Sequence, residues 1–264
     1  MGNLRRMYSW GRERFFTRSH PSDVRSEFEK LFQGRIDPWN YSSSYEQTKY
    51  ERTLALIPDG METALEIGCA EGHFTVQLAP HVRTLTACDI ADTALERAAR
   101  RCEALPHVRF IRLDVASDPI PGQLDLIVCS EMLYYVGSVG LLRQVAKKIT
   151  HALNRNGYLV MAHMNLLVDD PDRPGFDWQL PFGGRVIGDV FQGIPILRLV
   201  KEVRTPLYRI QLFQRISLLQ RWLGGRKSES EIIVLNEQST NLEPAVANHA
   251  HCPSLTSPLK TTAI

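Results

Sequence analysis

The 264-residue chain has little of what marks a protein for a membrane, an oxidising compartment or a nucleic acid. No apolar run approaches the ~20 residues that a bilayer-crossing helix needs, and the opening residues lack the apolar centre of a secretory signal. Gly2 is followed by Arg6 where N-acylation wants Ser or Thr, so that lipid anchor is not indicated. The five cysteines, Cys69, Cys88, Cys102, Cys129 and Cys252, include no CxxC pair and lie mostly in apolar segments, as reduced thiols do. A formal net charge of +2 sets up no strong field for gathering nucleic acid. These absences point to a cytoplasmic domain that handles a small molecule, without nucleic acid or membrane as partner. Oligomeric state is left open.

With 44% hydrophobic and 23% charged residues, the chain has the balance of an ordinary globular domain. Its opening 20 residues are Arg-rich with scattered aromatics, a pattern open between a solvated lead-in helix and a coat for an acidic surface. "SDVRSEFEKLF" (22 to 32) has helical spacing, with Ser22 as its expected cap. From residue 63 apolar strands alternate with amphipathic helices, the pattern of a parallel sheet covered on both faces. Strands are expected at "TALEIG", "TLTACDI", "VRFIRLDV", "LDLIVCS" and "GYLVMAHM". Between the second and third, "TALERAARRC" reads as a helix with a Thr93/Glu96 capping box and an apolar face of Leu95, Ala98, Ala99 and Cys102. "ILRLVKEVRTPLYRIQLFQRIS" reads as an antiparallel hairpin turning at Thr205 and Pro206. Beyond about residue 225 periodicity fades, and most of the tail is expected to be disordered. Its "HAHC" has no second cluster to complete a metal site, so no metal is expected.

The chemistry concentrates in "ALEIGCAEGHF" (64 to 74), where a strand breaks into a loop of small residues that lets backbone N–H groups approach a ligand. The small residues Gly68, Ala70 and Gly72 fall at every second place after Glu66, which is not the GxGxxG spacing of dinucleotide binders. Asp89 ends the next strand, 23 residues after Glu66, where a carboxylate can take both ribose hydroxyl protons of a nucleoside. An NAD enzyme also places an acid there, so Asp89 alone does not discriminate. Asp114 ends the third strand. One strand-end acid is often a helix cap, but three on neighbouring strands define a ligand edge.

This run resembles the E/DxGxGxG signature of class I S-adenosylmethionine-dependent methyltransferases, with Ala70 in place of the middle glycine, a substitution that is strained if the backbone there needs positive φ. The resemblance implies a three-layer α/β sandwich with a mostly parallel, doubly wound seven-stranded sheet whose last strand is antiparallel. It implies S-adenosyl-L-methionine as cofactor, held by Glu66, Gly68, Cys69, Ala70, Gly72, Asp89 and Asp114, with Ile90 and Val115 about the adenine. "SEMLYY" (130 to 135) has neither the proline pair of amino-nucleobase methyltransferases nor, with Gly140 nine residues on from Glu131, the second glutamate of arginine methyltransferases. Together with "DPWNYSSSYEQTKY" (37 to 50) it is similar to the nodulation protein S family, over about residues 35 to 215. That family N-methylates the free amine of a deacetylated chitooligosaccharide.

By this resemblance Trp39 and Tyr45 lie over the cofactor, with Glu46 and Lys49 on the same lid; as plain packing, the two aromatics seat the N-terminal helix on the sheet. Glu131 and His163 are the candidate catalytic groups. Glu131 is open between orienting the acceptor and touching the cofactor, and His163 between base and satisfied structural residue. Tyr134, Tyr135, Asp177 and Trp178 are the expected substrate contacts. Asp169, Asp170 and Phe182 share the last two residues' loop, which reads equally as a substrate wall and as a Pro-stiffened surface loop. The resulting partition is a helical lid (1–50), a methyltransferase domain (51–215) and a C-terminal extension (216–264). The expected activity is methyl transfer to an amino sugar or oligosaccharide. An O-methyltransferase of a glycosylated natural product and a non-catalytic S-adenosylmethionine-binding regulatory module are the alternatives.

Overall fold

The computed structural model describes residues 21–223 and 230–235. The Arg-rich start, Cys252 and the "HAHC" run lie outside the described residues. Seven helices, α1 (Pro21–Gly34), α2 (Ser44–Leu54), α3 (His73–Leu78), α4 (Asp92–Arg101), α5 (Val139–Ala152), α6 (Gly184–Gln192) and α7 (Leu218–Leu223), accompany eight described strands. These are β1 (Met61–Ile67), β2 (Val82–Asp89), β3 (Val108–Arg112), β4 (Leu124–Ser130), β5 (Leu153–Met164), β6 (Leu197–Arg204), β7 (Tyr208–Arg215) and β8 (Glu231–Val234).

The strands form one sheet in the order β3-β2-β1-β4-β5-β7-β6-β8. β1 through β5 pair in parallel, and β7 runs antiparallel to both β5 and β6. Progression from β1 runs one way to β2 and β3, and from β4 the other way to β5. Because crossovers between parallel strands are right-handed, the reversal sends α3 and α4 to one face and α5 and α6 to the other. The crevice where the order reverses, between the carboxyl ends of β1 and β4, is where such sheets bind ligands. Central strands are buried on both faces, as in Ala64–Ile67 and Leu126–Cys129, which is why they read as continuous apolar runs rather than alternating ones.

Several expectations change. The described sheet has eight strands, not seven, and its outermost member β8 pairs in parallel with β6. β7 is therefore the antiparallel strand, and it is not the last. β8 spans four residues within a polar stretch, too short for a period to register, and it forms because the β6 edge offers backbone partners. Ser22 lies inside α1 rather than before it. The Thr93/Glu96 capping box does not form: α4 starts at Asp92 with no side-chain cap of its own. Glu29 of α1 instead accepts the Thr93 N–H at 3.3 Å and also the Thr93 hydroxyl, and these bonds hold the Glu29 carboxyl below its ordinary range against the opposing effect of burial. Ala94 takes the buried place expected of Ala99, which is exposed. The hairpin turn is as expected, with Thr205 Oγ1 accepting from Leu207 and Tyr208 N–H at 3.2 and 2.9 Å. Among the described residues no helix is long and apolar enough to cross a membrane.

Candidate active site

The cradle after β1 is built by backbone conformation. Gly68, Ala70 and Gly72 all have positive φ, at 78°, 47° and 79°. A Cβ on Gly68 would stand 2.9 Å from Met132 Cβ, and one on Gly72 would stand 3.0 Å from Ala98, so the glycines let the loop seat between the β4 loop and α4. Ala70 carries the strain that a left-handed alanine entails, on the order of 1–2 kcal/mol. Its N–H donates to Asp89 Oδ2 at 2.9 Å, which holds it there. Gly68 and Cys69 N–H groups both donate to the Cys88 carbonyl, at 2.8 and 2.9 Å.

The three acids fall on adjacent parallel strands but in different states. Asp89 is 8% exposed. Burial pushes its carboxyl up, opposed by the amides of Ala91 and Ala70. Each oxygen accepts one amide and keeps lone-pair capacity for a further donor. Glu66 is buried, its Oε2 has no hydrogen-bond partner among the described residues, and burial pushes it up to about 7. Asp114 lies just beyond β3 in an Asx turn, Oδ1 accepting the Ala116 N–H at 2.9 Å. Ile90 is half-buried and, like Ala70 and Trp39, packs against the small cluster that Phe28 and Phe32 of α1 make with Ala91 and Ala94. Val115 is buried.

Across the crevice, Glu131 follows β4 with φ of 53°. Its Oε1 receives Lys49 Nζ at 2.8 Å, and its Oε2 receives the Tyr134 hydroxyl and the Met164 N–H, the latter at 3.3 Å. Lys49 and the other donors hold the carboxyl below its ordinary range although burial opposes them. Lys49 is itself 1% exposed and also bonds Glu46 at 3.0 Å. His163 is buried, and burial lowers it to about 4, so the ring is neutral at pH 7. Its Nε2 faces the Leu133 N–H at 3.4 Å. Nε2 thus has a backbone partner, the arrangement of a satisfied structural histidine.

A family model described as Nodulation protein S (NodS) matches residues 21–166, over half of the chain. The chain belongs to the nodulation protein S family. Nodulation protein S of Rhizobium tropici is 34% identical over 127 residues, 47% of this chain and 53% of that protein. The Sinorhizobium fredii protein of the same name is 35% identical over 127 residues, 47% of this chain and 59% of that protein. The match thus spans between half and three fifths of these curated relatives. Among solved structures, N-methyltransferase NodS from Bradyrhizobium japonicum, crystallised with S-adenosyl-L-homocysteine, superposes with a TM-score of 0.65 at 23% identity, covering 74% of this chain and 99% of that one. It shares the fold.

Within this nodulation protein S frame, the lid residues divide. Trp39 packs against Phe32 and Tyr41, at 5.6 and 6.0 Å between ring centroids, above the cradle side. Tyr45 instead stacks edge-on to Tyr208 and Phe176, at 5.7 and 6.2 Å, beside Lys49 on the β5–β7 side. Of the expected substrate contacts, Tyr134 is 1% exposed and serves Glu131, so its ring is not a free wall. Tyr135 is half-buried and meets Phe28 at 5.0 Å. Asp177 is exposed and Trp178 half-buried against Phe176. Asp169 accepts the N–H groups of Gly183, Arg185 and Val186 at the start of α6, Asp170 pairs with Arg173 and Arg185, and Phe182 is buried. Those three are structural. Sequence reasoning passed over Glu71: fully buried, it accepts the Asp37 N–H at 3.0 Å and pairs with Arg97 at 2.5 Å, pinning the lid to the cradle. An acid between Ala70 and Gly72, in a loop otherwise of small residues, was the available signal.

Proposed function

We propose that the protein is an S-adenosylmethionine-dependent N-methyltransferase acting on the amine of a small molecule, an amino sugar or chitooligosaccharide. The observation that carries the reading is the pairing, at one switch point, of a positive-φ cradle tied to Asp89 with an ionised, partly exposed Glu131 across the crevice. Family membership and the N-methyltransferase named for the superposed neighbour support it. The partition into a lid over 1–50, a methyltransferase domain over 51–215 and an extension from 216 is part of the same proposal, with α2 running across the first boundary and β8 of the extension joining the domain's sheet; so is a cytoplasmic setting.

The residues of the cradle fit the cofactor. Glu66 Oε2 is a buried acceptor without a partner, Asp89 keeps lone pairs for hydroxyl donors, and side chains are excluded at Gly68 and Gly72. Cys69 and Ala70 lend backbone, Ile90 and Val115 apolar walls, and Asp114 an acceptor beyond β3. When bound, S-adenosylmethionine supplies a methyl group already activated on a sulfonium. The chain's task is to orient the acceptor amine and exclude water; in well-aligned intramolecular models orientation is worth ~7–11 kcal/mol. Glu131 accepts a hydrogen bond from the amine N–H and so aims its lone pair; a carboxyl held below its ordinary range is too weak a base to keep the proton, which the methylated ammonium gives up to solvent. The aromatic cover of Phe28, Trp39, Tyr41 and Tyr135 shields the crevice. His163 acts as a positioning residue, steadying the Leu133 turn that carries Tyr134. Trp178 and Asp177 are the residues assigned to a sugar ring and its ammonium, an indole for the apolar ring face and a carboxylate for the charge.

The test joins calorimetry of S-adenosylmethionine binding with a mass-spectrometric screen of amino sugars, chitooligosaccharides and glycosylated metabolites for one added methyl group. Saturable binding lost in Asp89→Ala, with a methyl gained on an amine, is the expected result. A gain only on hydroxyls makes the protein an O-methyltransferase. Binding without any product makes it a regulatory module.

A further inference from the structure

Lys49 is the one buried lysine among the described residues. Taking an ammonium out of water costs several kcal/mol, so it persists only where partners compensate. Its partners are Glu46 Oε1 on the preceding turn at 3.0 Å, Glu131 Oε1 at 2.8 Å and the Tyr45 ring at 4.9 Å. Of these, Glu131 is 82 residues away in the chain and belongs to the opposite side of the crevice.

Glu131 is an unusual residue to hold. Its left-handed backbone is unfavourable for a non-glycine, and such conformations persist where the surroundings over-determine them. Its N–H donates to the Ala162 carbonyl at 2.8 Å, and Tyr134 and Met164 fix Oε2. Only Oε1 is oriented from outside this local frame, by Lys49. The lysine also rides on a helix tied to the cradle: Gln77 of α3 donates to Gln47 at 3.1 Å, and Tyr41 stacks on His73 at 4.9 Å. At its other end Arg52 donates to the Tyr208 hydroxyl at 2.6 Å. α2 therefore bridges the cradle and the acceptor side.

We propose that Lys49 is a positioning residue for the acceptor amine, which keeps Glu131 ionised and aimed, and which does so only while α2 is docked on the cradle. This rests on the reading of Glu131 as the amine's partner. The groups facing Glu131 are Tyr45, Glu46 and Lys49 from α2, Tyr134 and Tyr135 from the turn after β4, and His163 from β5. The tyrosines are pushed up and His163 down by burial, so all four are neutral at pH 7. Burial pushes the Glu46 carboxyl up while Lys49 holds Glu131 down, so of the two glutamates that share the ammonium Glu131 is the one it keeps charged. Without Lys49 the largest effect that holds Glu131 down is gone and burial raises it, so its carboxyl takes a proton more readily and loses the charge that makes it a strong acceptor for an amine.

The decisive measurement needs no acceptor: carbon-13 NMR titration of the glutamate carboxyls, with Glu131 assigned by its absence in Glu131→Gln. Wild type is expected to titrate below the ordinary 4.5, and Lys49→Met to move the midpoint up by at least about one pH unit. S-adenosyl-L-homocysteine affinity by calorimetry should change less than about threefold, while kcat/KM on deacetylated chitotetraose falls about 30-fold near pH 7. Lys49→Arg should recover most of that loss. Adding Lys49→Met to Glu131→Gln should cost little more, since the lysine acts through the glutamate. An unmoved Glu131 midpoint overturns the proposal, as does a fall in S-adenosyl-L-homocysteine affinity matching the fall in kcat/KM. If wild type leaves chitotetraose unmethylated, the acceptor assignment fails, and the titration still decides the role of Lys49. Should Lys49→Met not fold, the same titration on Lys49→Arg decides: a Glu131 midpoint still below 4.5 supports the role, and one at or above it overturns it.

Discussion

Glu66 and Glu131 are two glutamates at the carboxyl ends of adjacent parallel strands, and they are driven in opposite directions. Glu66 has burial and no partner for Oε2, and it rises to about 7. Glu131 has burial too, but Lys49, Tyr134 and the Met164 amide outweigh it, and its carboxyl falls below the ordinary range. Desolvation is common to both sites; the difference is a cation delivered by another element. One strand end keeps a buried oxygen without a partner, while the other keeps a charge.

The sharpest way to break the contrast is Glu131→Ala. Lys49 would lose one of two carboxylates and Tyr134 and Met164 their acceptor, at about 3 kcal/mol or more in urea unfolding at pH 7. A cost under about 1 kcal/mol would show that Glu46 alone satisfies the lysine. Glu66→Gln should act the other way. An acid raised in the folded state binds more protons folded than unfolded between 4.5 and about 7, so its stabilising contribution is complete below 4.5 and lost as pH rises to about 7. Relative to wild type the variant should therefore gain stability with rising pH, reaching up to about 3 kcal/mol at pH 8. A flat difference between the two across pH 4–8 would mean that Glu66 is solvated. Ala70→Gly relieves a left-handed alanine but adds freedom to the unfolded chain, for a net gain of about 0.5–1 kcal/mol in thermal unfolding. Loss of stability would place the value of Ala70 in its packing.

Much of this was legible beforehand because it is local. The five parallel strands announce themselves as apolar runs, the Thr205 turn by its residues, and the cradle by small residues at alternate places after Glu66. The strain at Ala70 follows from reading the middle glycine's position. What escaped reading depends on contacts far apart in sequence. The α4 cap comes from Glu29, 64 residues away, so a local capping box was the wrong inference from correct residue types. Glu71 looked like loop filler until Asp37 and Arg97 closed on it. Tyr134 and His163 were well placed at a sheet edge, yet burial turned one ring to serve Glu131 and the other to an amide. β8 was invisible, since four residues carry no period and an edge partner made the strand.

By itself the sequence determined the sheet-and-helix alternation, the loop of small residues after Glu66 and the identity of the carboxylates, because hydrophobic period and turn chemistry act over a few residues. Only the tertiary structure decided which carboxylate is paired with a cation and which keeps a buried oxygen without a partner. Charge state in a buried site depends on what the fold brings within about 3–4 Å, and no spacing along the chain encodes that distance.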